Sequence, residues 1–131
     1  MKGNNMKECP FCQIISHQDR EILYKTDTFC AFFDAYPVNE GHTLLIPCRH
    51  IPDISSLTET EQEHLPVALL DLRQKLYTRF SPDGLNIGIN EGEAAGQTIN
   101  HLHIHLIPRY KGDIEDPTGG VRGVIPSRQK Y

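Results

Sequence analysis

The sequence contains no tryptophan, two methionines, and five each of phenylalanine and tyrosine, so its core must be built mainly from aliphatic side chains. It also lacks any run approaching the ~18 consecutive apolar residues that would span a bilayer. The opening segment MKGNNMKECPFC has no apolar stretch of the secretory type. These two absences lead to the expectation of a soluble, cytoplasmic protein with no membrane partner. An excess of positive charge is missing too. Thirteen Lys and Arg stand against 17 Asp and Glu, a net charge of −4. No global field would draw in a nucleic acid, and any polyanion would have to bind at a local site. Internal repeats and low-complexity stretches are absent. The four cysteines, at positions 9, 12, 30 and 48, would suit disulfides in a secreted peptide. Without a signal sequence they read as reduced thiols used for metal binding or burial.

What is present fits one folded domain over residues 1–131, with 38% hydrophobic and 23% charged residues. EILYKT and TFCAFFD, split by Thr26-Asp27, read as a β-hairpin. A third strand, His42 to Ile46, follows the turn Asn39-Glu40-Gly41 and is stopped by Pro47. Thr58 followed by Glu61 is a capping-box pattern, and Leu65, Leu69, Leu72, Leu76 and Phe80 recur at helical spacing. The spacing predicts a helix over 59–79, kinked or divided at Pro66. After the stop Ser81-Pro82-Asp83-Gly84, the residues Leu85, Ile87 and Ile89 predict a fourth strand, and 101–107 a fifth. Together these predict an α+β domain, about five antiparallel strands packed on one face by one long helix. Residues 1–20 form an N-terminal segment, and 109–131 an irregular C-terminal one, rich in Gly, Pro and charge.

The fifth run reads His-Leu-His-Ile-His-Leu-Ile. On a strand, His101, His103 and His105 would share one face, about 6.6–6.8 Å apart, with Leu102, Ile104 and Leu106 on the other. Three readings arise for such a row: a solvated face that is merely His-rich, a metal site made of all three rings, or nucleophilic catalysis by one neutral imidazole. The preceding loop, Asn90 to Thr98, supplies glycines, an amide and a hydroxyl, and such loops let backbone N–H groups approach anionic oxygens. That pairing favours a phosphoryl or acyl electrophile.

GQTINHLHIHLIPR, with GHTLLIPCRH upstream, resembles the histidine triad (HIT) superfamily of nucleotide hydrolases and transferases over about Cys9 to Pro108. The resemblance implies a HIT-like fold of five antiparallel strands, a homodimer, and attack by the middle triad histidine on the α-phosphorus of a nucleotide conjugate. A nucleotidyl-histidine would form and then be hydrolysed to a nucleoside monophosphate. By position, His103 is then the nucleophile and His105 supports the phosphate. Gln97 and Thr98 match residues that contact the phosphates and the leaving-group side, Asn90 and Gly96 match phosphate-loop positions, and Asp34 matches the residue that binds the ribose hydroxyls. His42 matches a position near the nucleoside, with a structural role as the rival reading. No catalytic metal is required, and Mg2+ would enter only with substrate.

Cys9-Pro10-Phe11-Cys12 has the spacing of half a zinc site, a redox pair or two buried thiols. His50 and His101 are the candidates to complete four ligands, with Cys48 as a rival and Cys30 assigned to the core. Some HIT proteins and the related galactose-1-phosphate uridylyltransferases carry such a set around a structural zinc, so the resemblance implies Cys9, Cys12, His50 and His101. In the C-terminal segment Arg109, Lys111 and Arg122 form a basic cluster, and Arg122 is the candidate distal-phosphate contact. The Pro108-Arg109 continuation resembles the dinucleoside polyphosphate hydrolase branch. An adenosine phosphoramidase, a nucleotidyltransferase or phosphorylase, and a non-catalytic nucleotide-binding regulatory module are the alternatives. His17 and His64 read as surface residues.

Overall fold

A computed structural model describes residues 1–17 and 20–131, leaving two positions of the N-terminal segment outside the described residues. Five strands, β1 (Tyr24–Lys25), β2 (Phe29–Phe33), β3 (Thr43–Pro47), β4 (Gly84–Ile89) and β5 (Ile104–Arg109), make one antiparallel sheet in the order β1-β2-β3-β5-β4. Two helices accompany it, α1 (Pro10–His17) and α2 (Glu59–Phe80). The α+β expectation and its five strands are met, and no helix among the described residues is long and apolar enough to cross a membrane.

Period-two alternation on the sheet sorts the side chains between two cores. Phe29, Ala31, Leu45, Ile104 and Leu106 pack against Ala68, Leu72 and Leu76 of α2. Cys30, Phe32, Leu44 and Ile46 face the other way, against Phe11, Cys12 and Ile14 of α1. Each fully buried Leu, Ile or Phe contributes about 1.5–3 kcal/mol. The sheet is therefore covered on both faces, by α2 on one and in part by α1 on the other. The sequence reading had no helix at α1, although Pro10 opens it at the first helical position and the Cys9 sulfur accepts the Cys12 N–H at 3.4 Å.

The capping box forms at the start of α2. Thr58 Oγ1 accepts the Glu61 N–H at 3.1 Å and Glu61 Oε1 accepts the Thr58 N–H at 2.8 Å. Arg49 grips the buried Glu61 carboxylate with two hydrogen bonds of 2.8 and 2.9 Å, fixing the chain next to His50. Pro66 neither ends nor divides the helix. Its missing N–H deprives the Gln62 carbonyl, and Gln62 is exposed, so water can take that place. Pro47 closes β3 from within, as the residue paired with Phe29.

The histidine row needs a correction. The fifth strand begins at Ile104, and only His105 sits in it, paired with Leu44 on one side and Gly88 on the other. Ahead of it, the Leu102 N–H donates at 2.7 Å to the Ile51 carbonyl in the loop after β3, which leads the chain off the sheet. His101 and His103 therefore belong to the approach to the strand. That is how His101 can turn toward α1 while His105 stays over the sheet.

Candidate active site

A cleft of about 820 Å3 opens on the α1 side of the sheet. Phe11, Ile14 and Phe32 give it an apolar wall, Asp34 and His42 stand at the ends of β2 and β3, and His103 and His105 lie on its floor. Asn90, Gly96 and Thr98 contribute the loop after β4. Gly96 takes a left-handed conformation, φ +93°, with the Asn90 amide 3.9 Å from where a Cβ would sit, so the loop turns sharply beside that amide.

Backbone groups set the proton positions on these rings. His103 Nδ1 lies 2.8 Å from the His101 carbonyl oxygen, which can only accept, so Nδ1 carries the hydrogen and Nε2 keeps its lone pair. The Phe11 ring stands edge-on to His103, centroids 5.1 Å apart, and holds its orientation. His42 is set the opposite way. The Val38 N–H donates to His42 Nδ1 at 3.0 Å, so the hydrogen of the neutral ring is on Nε2. That hydrogen points at His105 Nδ1, 2.9 Å away, with Asp34 Oδ2 at 3.4 Å from the same nitrogen. His105 is left with its own hydrogen on Nε2. Burial, then the neighbouring His103 and His42 rings, push His105 down to about 4 against a partly opposing Asp34. Burial also lowers His42, again opposed by Asp34. In its neutral form His103 thus offers the cleft a bare Nε2, and His105, on a ring 5.2 Å away, an N–H donor.

A second cluster lies behind His103. The sulfurs of Cys9 and Cys12 and a ring nitrogen each of His50 and His101 all fall within 4.8 Å of one another. His101 Nδ1 is 3.4 Å from Cys9 Sγ and 3.6 Å from Cys12 Sγ, and Cys12 Sγ is 3.3 Å from His50 Nδ1. The other nitrogen of His101 donates to the Pro47 carbonyl at 2.8 Å, which leaves Nδ1 with its lone pair toward the sulfurs. Burial, joined by the neighbouring Cys9, pushes the Cys12 thiol up to about 12, so two thiolates could coexist here only around a cation. Two sulfurs and two imidazoles around one point suit tetrahedral zinc. Cys48, the rival ligand, lies outside the cluster with its sulfur on the Thr26 carbonyl, and Cys30 is buried as expected.

Two expected site residues lie elsewhere. The Gln97 amide turns into the loop, accepting the Gly92 N–H at 2.9 Å and donating to the Pro52 and Ile99 carbonyls, so its side chain braces the loop. Arg122 donates to the Gln129 and Arg128 carbonyls and stacks on Tyr131, holding the C-terminal segment together, and it is not among the residues that line the cleft. Arg109 is likewise committed, to Asp113 and Asn86. The apolar wall of α1 was not foreseen. Pro10 followed by Phe11, Ile14 and Ile15 was its only signal, in a helix of eight residues.

Residues 16–112 match the family model described as the HIT domain. The chain belongs to the HIT family. Over 96 residues it is 38% identical to the asymmetrical bis(5'-nucleosyl)-tetraphosphatase of Schizosaccharomyces pombe, covering 73% of this chain and 53% of that protein. A HIT family structure from Bacillus subtilis superposes with a TM-score of 0.75 at 36% identity, covering 80% of this chain and 75% of the other. A zinc-bound histidine triad protein from Mycobacterium smegmatis does so at 0.74 and 32% identity, covering 83% and 80%. Within this HIT protein, the residues matched to the family model include both imidazoles of the cleft floor and the histidine half of the sulfur cluster, while Cys9 and Cys12 precede the match.

Proposed function

We propose that this HIT protein is a nucleotide hydrolase that cleaves dinucleoside polyphosphates at the α-phosphorus. The observation that carries the reading is the bond from His103 Nδ1–H to the His101 carbonyl, which leaves Nε2 as an unprotonated nucleophile on the floor of the cleft. The His103 Nε2–P bond forms as the bond from the α-phosphorus to the bridging oxygen of the leaving polyphosphate breaks. The His105 Nε2–H and the loop of Asn90, Gly96 and Thr98 meet the charge that builds on the phosphate oxygens. Water then displaces the ring and releases the mononucleotide. The base stacks into the wall of Phe11, Ile14 and Phe32, and the ribose hydroxyls reach the Asp34 carboxylate. The S. pombe relative, a tetraphosphatase by name, supports a dinucleoside tetraphosphate as substrate.

Cys9, Cys12, His50 and His101 would hold a structural zinc, whose chemistry is to bind the thiolates and fix His101. In the same reading the protein works in the cytoplasm as a homodimer, for which Val121, Val124 and Ile125, 56–79% exposed, offer apolar surface. Rapid quenching during turnover of diadenosine tetraphosphate should yield an adenylate linked to His103, and His103→Ala should lower turnover by about three orders of magnitude or more. Turnover without that adduct, or unchanged in the variant, would overturn the mechanism. Adenosine phosphoramidate in the same assay ranks the phosphoramidase alternative through its kcat/KM.

A further inference from the structure

A polyphosphate substrate carries several negative charges into a cleft that already contains the Asp34 carboxylate. Two lining residues bear permanent positive charge, Lys2 and Arg20. The Arg20 guanidinium is engaged on the β2 side, donating to the Phe33 carbonyl and lying 5.2 Å over the Phe32 ring. Lys2 makes no ion pair or side-chain hydrogen bond with any described residue. Its backbone, however, is fixed: Lys2 N–H donates to the Thr98 carbonyl at 2.9 Å, and the Asn100 N–H donates to the Lys2 carbonyl at 2.6 Å. This parallel bridge to Ile99 seats Lys2 directly on the phosphate-loop wall. The next residue, Gly3, is buried with φ +76°, and a Cβ there would lie 3.1 Å from Cys9 Cα. The arm thus leaves the loop and returns to the sulfur cluster through a bend that suits only glycine.

We infer that Lys2 is a specificity-determining residue whose ammonium binds the phosphates beyond the α-phosphate, so that the N-terminal arm selects polyphosphate substrates over nucleotides with one phosphate. The inference rests on the nucleotide-hydrolase reading above and replaces Arg122 with Lys2 as the distal-phosphate contact. The ammonium is a mobile point charge with three donors, suited to a phosphate chain of variable length.

The test compares the wild type with Lys2→Gln and Lys2→Arg in the full chain. Calorimetric titration uses AMP and α,β-methylene-ATP, and turnover uses adenosine phosphoramidate and diadenosine tetraphosphate. Lys2→Gln should weaken α,β-methylene-ATP and raise KM for the tetraphosphate about tenfold, leaving AMP binding and phosphoramidate kcat/KM within about twofold. Lys2→Arg should restore most of the loss, and added salt should narrow the gap. Equal losses on all four ligands would assign Lys2 to arm structure alone, and no loss on any would remove it from the site; either result overturns the inference. A wild type that binds neither AMP nor α,β-methylene-ATP would instead overturn the nucleotide reading beneath it.

Discussion

Two clusters of ligand-type side chains, each within 4.8 Å, flank the His103 ring, and they are built for opposite purposes. In the cluster of Cys9, Cys12, His50 and His101, a carbonyl stands behind His101 and draws the hydrogen to the far nitrogen, so a lone pair faces the sulfurs. In the cluster of Asp34, His42 and His105, an amide stands behind His42 and pushes the hydrogen onto the near nitrogen, so a donor faces the carboxylate and the second ring. A cation placed there would have to displace that hydrogen and strand the Val38 N–H. The lesson is that identical imidazoles become ligands or donors according to the backbone group each one leans on.

The comparison breaks most visibly through metal content. Protein purified without added zinc should hold about one equivalent per chain, Cys12→Ser less than half, and Asp34→Asn an undiminished amount. Chelation should lower Tm by at least about 10 °C. Elemental analysis and thermal melts check both statements, and zinc that follows Asp34 would reverse the assignment of the clusters. Next in size, His42→Ala frees the His105 tautomer and should lower kcat by about 10- to 100-fold, or about 1.4–2.8 kcal/mol, with zinc retained. Steady-state kinetics with an unchanged kcat would show that His105 keeps its hydrogen position unaided.

The smallest effect is on pH dependence. His105 and His42 are depressed in the folded protein below their ordinary value of 6.5, so unfolding takes up protons in this window. Their contribution is complete above about 6.5 and is lost as the pH falls toward about 4. Tm should therefore decline on acidification through that range, and less steeply in His105→Gln. Parallel slopes in the two proteins would remove His105 from the account.

Where chemistry follows from local pattern, the sequence was legible. The runs TFCAFFD and His42 to Ile46 marked two strands, and Thr58 with Glu61 marked the helix start, because both depend on neighbours a few residues away. The four sulfur-cluster residues were legible as a set through the family resemblance, and the structure brings them together. The contacts of Gln97 were not legible because its amide donates to the Pro52 carbonyl, 45 residues earlier, a partner that no spacing reveals. The start of β5 was misplaced because Leu102 pairs with Ile51 of a distant loop. Short length hid α1, since eight residues carry barely two turns of periodicity. The hydrogen positions on His42 and His103 were beyond the sequence altogether, being set by backbone contacts that exist only after folding.

Residue 101 does two jobs at once: its ring reaches the sulfurs while its own carbonyl holds the ring of His103, the proposed nucleophile. No spare chain lies between the anchoring knot and the His103 ring to absorb a disturbance. Damage to the N-terminal cysteines, oxidation included, would surface as a misdirected reaction in a cleft whose own side chains are all intact.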